Sequence, residues 1–225
     1  MLKIIYDKYK IYYRTSEIIQ KSINNFILKK DKVIIGLPGG RSISKILDIL
    51  KTKPLDWEKI HIFMVDERIV PLEDPDSNFN LIKTSLTGTI PERNLHPFYH
   101  QKEDIEHSLK VYKKEIEKFG GSYDIVLLSS GEDGHIGSLF PNHPSVYNDS
   151  DFFISVENSP KAPSRRMSIS KKFLLKSKIG VLMFIGDSKR GAYIDFLDNS
   201  VNYDSCPSKI VKKLSDSFIL TDIDL

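Results

Sequence analysis

Residues 123–144 read YDIVLLSSGEDGHIGSLFPNHP, and the fold turns on how that stretch begins. Ile125, Val126, Leu127 and Leu128 follow one another without a polar break. A strand with one wet face alternates apolar and polar residues, whereas an unbroken run suits a strand covered on both faces, as in a parallel sheet. Parallel strands need long return connections, usually helices. The run then stops at Gly131, Glu132, Asp133, Gly134 and His135, so an acid and an imidazole arrive where a buried strand ends.

The same pattern recurs outward in both directions. LKIIY (2–6), KVIIGL (32–37), KIHIFMV (59–65), KIGVLMFI (178–185) and DSFILT (216–221) read as further strands. Between them TSEIIQKSINNFILKK (15–30), SISKILDILK (42–51), SNFNLIKTSL (77–86), EDIEHSLKVYKKEIEKF (103–119) and SKRGAYIDFL (188–197) carry apolar residues at helical spacing. Thr15, Ser42, Ser77 and Asp187 are the expected N-caps. Strand–helix alternation throughout predicts an α/β fold, a Rossmann-like, doubly wound, mostly parallel sheet with helices on both faces. No linker or repeat interrupts it, so residues 1–225 are expected to form a single α/β domain. Ligands in such sheets bind beyond the carboxyl ends of the strands.

Composition narrows the function. The 33 Lys and Arg against 30 Asp and Glu leave a net charge of +3, mixed along the chain. A basic stripe or tail, the electrostatic footprint of nucleic-acid binding, is missing, so no nucleic-acid partner is expected. One cysteine, Cys206, allows neither an intrachain disulfide nor a cysteine metal cage. The opening MLKIIYDKYKIYYRTSEII resembles no secretory signal, and no window approaches a membrane span. The expected setting is cytoplasmic, with no membrane partner.

Three strand ends carry chemistry. After VIIG comes LPGGRS, where Gly39 and Gly40 turn the chain into a helix that starts near Arg41 and Ser42. Adjacent glycines allow close backbone approach and leave first-turn amides free for an anion such as phosphate, although a double glycine alone is more often a plain tight turn. The segment fits neither a Walker loop nor the three-glycine dinucleotide fingerprint. After IFMV come Asp66, Glu67 and Arg68, a triplet able to orient a hydroxyl and face negative charge, or simply to ion-pair in a solvated loop. The acidic LEDPDSN that follows lacks the ligand ladder of a calcium loop. After DIVLLSS comes GEDGH, with His135 as a general base suited to neutral pH and Asp133 placed to fix its tautomer.

Two other chemistries fit poorly. Ser138 lies outside a G-x-S-x-G elbow, and His96 and His100 in HPFYH lack a third metal ligand. Farther on, Arg165 and Arg166 precede a short alternating strand, MSIS, and Lys189 opens a helix. Each is a plain surface cation or one part of a phosphate pocket.

Taken together, LPGGRS, VDERIVPLEDPDSN, YDIVLLSSGEDGHIGSLFPNHP, RRMSIS and GDSK resemble, in order and spacing, the 6-phosphogluconolactonase family within the glucosamine/galactosamine-6-phosphate isomerase superfamily. The resemblance spans nearly the whole chain. It implies hydrolysis of 6-phospho-D-glucono-1,5-lactone to 6-phospho-D-gluconate, in the oxidative pentose phosphate pathway, with neither metal nor organic cofactor. It makes His135 the base that activates water, with Asp133 orienting it and with Arg68 and Asp66 in the catalytic set. It places the phosphate on Gly39, Gly40, Arg41 and Ser42, closed by Arg166 and Lys189, with Arg166 favoured over Arg165. A small-molecule sugar-phosphate substrate is the implied partner, and functional coupling to glucose-6-phosphate dehydrogenase is a further expectation. Ile43 departs from a proline common after the glycine turn.

The deaminase branch of the superfamily is the nearest alternative. It implies a tyrosine after the Asp-Glu pair and Asn-Glu-Pro after the histidine loop, where this chain has Arg68 and SLFP. A non-catalytic sugar-phosphate sensor is the other alternative, and no output module is legible.

Overall fold

The computed structural model describes residues 2–101 and 104–225. In chain order its elements are β1 (Leu2–Tyr6), α1 (Ile11–Ile27), β2 (Val33–Leu37), α2 (Arg41–Leu50), β3 (Ile60–Met64), β4 (Asp66–Arg68), α3 (Asn78–Leu86), β5 (Leu95–His96) and α4 (Ile105–Glu117). The chain continues through β6 (Ile125–Ser129), α5 (Pro144–Tyr147), β7 (Phe153–Val156), β8 (Arg166–Ile169), α6 (Lys171–Leu175), β9 (Ile179–Phe184), α7 (Arg190–Leu197) and β10 (Asp216–Thr221).

Seven strands form a parallel sheet in the order β1-β10-β9-β6-β2-β3-β5. From β1 through β2 and β3 to β5 the chain steps across the sheet one way; from β5 through β6 and β9 to β10 it steps back. Right-handed crossovers place the helices of the two directions on opposite faces, α1, α2 and α3 on one and α4, α6 and α7 on the other. That double cover explains why every residue of β2 and β3 is buried. β1, at one edge, keeps Leu2, Ile4 and Tyr6 exposed.

The reversal puts β2 beside β6, the topological switch point at which doubly wound sheets open a crevice. The ends of β9, β6, β2 and β3 lie side by side at neighbour spacings of about 5 Å. They carry, in that order, Lys189, the 131–135 loop, Gly39 and Asp66.

The antiparallel three-stranded sheet β4-β8-β7 is the main feature that the sequence does not announce. Asp66-Glu67-Arg68 reads as a loop after a strand, yet it is a strand itself, with Asp66 opposite Ser168 and Arg68 opposite Arg166. β8 covers most of MSIS, the short alternating strand expected there, but β4 is too short for hydrophobic periodicity to show, and the two lie about a hundred residues apart.

Of the expected helix caps, Ser77 is one: its hydroxyl accepts from Asn80 N at 3.1 Å. Thr15 lies inside α1, which starts earlier, and its hydroxyl donates to Ile11 O at 2.7 Å. Gly40 rather than Ser42 occupies the N-cap of α2. Asp187 opens a short 3-10 turn and receives a hydrogen bond from Arg190 Nε at 2.8 Å. The predicted start of the fourth helix at Glu103 lies outside the described residues. Among the described residues no helix is long and apolar enough to cross a membrane.

Candidate active site

The 131–135 loop is wound tightly on itself. Gly131 N donates to His135 O at 2.8 Å, and Gly134 N to Gly131 O at 3.2 Å. The His135 ring and the Asp133 carboxylate fold back over Gly131. A Cβ there would lie 2.0 Å from His135 Nδ1 and 2.5 Å from Asp133 Oδ1. Gly131 is therefore required by close approach: the imidazole occupies the volume of the missing side chain.

Asp133 Oδ1 lies 2.5 Å from His135 Nδ1. A carboxylate can only accept, so Nδ1 carries the proton and Nε2 is the basic edge. Burial pushes the Asp133 carboxyl up, but its hydrogen bond and charge contact with His135 outweigh that and hold it well below the usual carboxylate range. Phe140 packs against the imidazole at 4.8 Å between ring centres, and the Arg166 guanidinium lies over the same phenyl ring at 5.6 Å.

Beside this loop, β4 anchors the second half of the site. Asp66 is buried; Oδ2 accepts from Ser138 Oγ at 2.8 Å and Oδ1 from Asn78 Nδ2 at 3.3 Å. It thus ties the segment after His135 to the start of α3. Glu67 is 1% exposed and accepts from Arg68 N, Asn78 N, Phe79 N and the Ser77 hydroxyl. Burial pushes its carboxyl up against those three amide donations. This arrangement fastens the N-terminus of α3, where a negative charge also complements the helix dipole.

Arg68 follows directly. Its Nη1 donates to Asp76 O at 2.5 Å, while its buried Nε has no hydrogen-bond partner. A buried donor left unpaired is costly.

Gly39 and Gly40 join β2 to α2. A Cβ on Gly39 would fall 1.8 Å from Asn78 Oδ1, so Gly39 is needed for close packing against α3. α2 begins with no side-chain cap and no acid in its first turn. Arg41 is exposed and Ser42 half-buried.

The two consecutive arginines separate cleanly. Arg165 is exposed and pairs with Glu157 at 3.1 Å. Arg166 is buried, and donates through Nε to Pro163 O and through Nη2 to Lys161 O and Ala162 O. Burial pushes its guanidinium pKa down, with Asp66 favouring the charge and Arg68 opposing it. Lys189, half-buried, has its ammonium pKa lowered first by burial; Glu132 and Asp133 act to raise it and Lys161 to lower it.

The predicted residues therefore fall into two adjoining groups. Asp133, His135 and Lys189 lie on the β6–β9 side; Asp66, Arg68 and Arg166 lie on the β3 side, with Gly39 between them and bound in through Asn78. Sequence reasoning missed Glu67's capping role, Asn78, Ser138 and Phe140. Asn78 and Ser138 stand in motifs already legible, DPDSN and HIGSLFP, but only tertiary contact gives them partners.

His96 and His100 go separate ways. His96 shares a 3.0 Å hydrogen bond with His61 and faces Glu115, while His100 Nε2 donates to Val70 O. Among the described residues no cluster of three or more acidic, His or Cys side chains is placed to hold a metal. A surface cavity of about 860 Å³, lined by Leu72, Phe79, Lys83, His96 and Tyr99 among others, includes none of the predicted site residues.

Fold and side-chain placement together define a doubly wound α/β protein with an acid–imidazole pair and several cations gathered beyond the strand ends. The chain belongs to the family described as glucosamine-6-phosphate isomerases/6-phosphogluconolactonase, whose model matches residues 7–220. It is 35% identical over 206 residues to the 6-phosphogluconolactonase of Borreliella burgdorferi, covering 88% of each chain. It is 34% identical over 167 residues to the human GDH/6PGL endoplasmic bifunctional protein, covering 69% of this chain and 21% of that one. Among solved structures, 6-phosphogluconolactonase from Thermotoga maritima superposes with a TM-score of 0.84 at 25% identity, over 98% of this chain and 100% of that one.

Proposed function

We propose that the protein is a 6-phosphogluconolactonase, hydrolysing 6-phospho-D-glucono-1,5-lactone to 6-phospho-D-gluconate. The observation that carries this reading is the Asp133–His135 pair at the switch point, with Nδ1 protonated and Nε2 left as the base. Relatives named 6-phosphogluconolactonase that match most of their length support it.

In the proposed reaction, His135 Nε2 takes a proton from water as the water oxygen bonds to the lactone carbonyl carbon. Asp133 steadies the imidazolium that forms. Arg68 faces the developing oxyanion or neighbouring substrate oxygens. The tetrahedral intermediate then expels the ring oxygen, which takes the proton back from His135. Water is consumed, the carbonyl–ring-oxygen bond is broken and the free acid is released. Asp66 serves by holding the loop and α3 in register through Ser138 and Asn78.

For the phosphate we propose the uncapped start of α2, Gly39, Gly40, Arg41 and Ser42, with Lys189 and Arg166 closing on it. Binding energy gathered at the phosphate orients a carbonyl some distance away. The reading treats residues 1–225 as one catalytic domain in the cytoplasm. The human relative, whose name joins GDH and 6PGL in one bifunctional protein, supports functional coupling to a dehydrogenase, which we propose to be glucose-6-phosphate dehydrogenase. An assay that generates the lactone in situ and follows acid release tests the proposal, with ammonia release from glucosamine 6-phosphate as the contrasting outcome.

A further inference from the structure

Between β7 and β8 the chain makes a hairpin over residues 157–165 whose tip is held by its own polar groups. Ser159 Oγ donates to Lys161 O at 2.9 Å, Lys161 N donates back to Ser159 Oγ at 3.2 Å, and Ser159 N donates to Ser164 O at 2.9 Å. The Arg166 guanidinium adds three more bonds, to the carbonyls of residues 161, 162 and 163. Two of its three nitrogens are thereby committed to holding the hairpin. Arginine's planar fork suits such multi-point anchoring.

What this anchoring presents is Lys161. Its backbone is clamped to a guanidinium that lies over Phe140, and Phe140 packs on His135. Its side chain is exposed and, among the described residues, makes no ion pair. Its charge is felt on the opposite side of the site. After the His135 contacts, and against burial, Lys161 helps hold the Asp133 carboxyl low. It also acts on Lys189, where Glu132 and Asp133 are the opposing carboxylates. Lys161 thus stands beside both groups of site residues, its carbonyl held by the Arg166 guanidinium and its charge within electrostatic reach of Asp133 and Lys189.

We propose that Lys161 is a further specificity-determining cation, delivered by the Arg166-clamped hairpin to the phosphate end of the substrate beside Lys189. This rests on the lactonase reading and names the group that reads the substrate's charge. The charge of Lys161 opposes that of Lys189, a repulsion that a phosphate dianion held by both relieves. A phosphate that meets both gains charge-assisted hydrogen bonds that a neutral lactone cannot make.

The test compares wild type, Lys161→Met and Lys161→Arg on 6-phosphogluconolactone and on unphosphorylated gluconolactone. Lys161→Met is expected to raise KM for the phosphorylated lactone about 5- to 10-fold, with kcat changed by less than about 2-fold. The loss on gluconolactone is expected to be much smaller. Lys161→Arg should restore most of the KM, and the difference should shrink toward about 0.5 M salt. Equal losses on both lactones would mean that Lys161 only supports the hairpin; no change on either would make it an ordinary surface lysine. Both outcomes overturn the proposal. Should wild type hydrolyse neither lactone, the functional reading fails, and calorimetric titration with inorganic phosphate then judges Lys161 by itself. Weaker phosphate binding by Lys161→Met than by wild type would support the cation's role, and equal affinity, or none in either, would refute it.

Discussion

Asp133 Oδ1 meets His135 Nδ1 at 2.5 Å, and both groups lie over the bare Cα of Gly131. The acid sets which ring nitrogen is basic, and the glycine makes room for the pair. Replacing Asp133 with Asn offers Nδ1 an amide that can present its NH₂, which favours the wrong tautomer. Asp133→Asn is therefore expected to lower kcat about 10²-fold with a much smaller effect on KM. Steady-state kinetics check this; a variant that keeps wild-type kcat would remove Asp133 from the mechanism.

Gly131→Ala tests the same geometry from below. The new methyl would sit 2.0 Å from Nδ1, so ring and carboxylate must move off. Turnover should fall at least about 10-fold, since misplacing a base by an ångström is costly. Gly191, in α7, has open space where its Cβ would go. Gly191→Ala should instead raise stability by about 0.5–1 kcal/mol, read as a higher Tm, with activity retained.

How much of this was legible in the chain follows from the range of the interactions involved. The parallel sheet showed itself because buried strands such as IVLL need no partner to be recognised. The strand-end rule then pointed to Gly39, Asp66 and His135 without any contact being known. The β4-β8-β7 sheet did not show, because Asp66–Arg68 is three residues long and pairs with residues 166–168. The same distance hid Ser138's bond to Asp66 and Asn78's place over Gly39. Thr15 looked like a cap because a hydroxyl next to an apolar repeat is the local signal, yet α1 extends further toward the N-terminus and buries it.

Glu67 provides a stability prediction. Each of its oxygens accepts two hydrogen bonds in a buried setting. Glu67→Gln swaps one oxygen for an NH₂ facing other donors. Unfolding free energy should drop by about 2–3 kcal/mol, measured by urea denaturation. A loss below about 0.5 kcal/mol would show that the cap of α3 does not depend on this carboxylate.

The buried His61–His96 pair predicts how stability depends on pH. Burial, then His96, Lys32 and Arg93, push His61 down from 6.5 to about 4. His96 is lowered by burial, against the raising influence of Glu115 and with Lys118 and Lys32 also lowering it. Neutral rings in the fold bind fewer protons than the unfolded chain between about pH 6.5 and pH 4. Stability is therefore full above that window and declines as pH falls through it, by about 3 kcal/mol for His61 alone. Urea midpoints at pH 7.5 and pH 5 should differ markedly less in His61→Gln than in wild type. Identical pH slopes would place the acid sensitivity elsewhere.

In the proposed reaction His135 is the base of a sugar-phosphate lactonase. With 6-phosphogluconolactone generated in situ, wild-type protein should release acid well above the uncatalysed background. His135→Ala should lose about 10²-fold or more in kcat while still binding 6-phosphogluconate in a calorimetric titration. Undiminished turnover by His135→Ala would remove His135 as the base, and no wild-type release above background would refute lactonase activity.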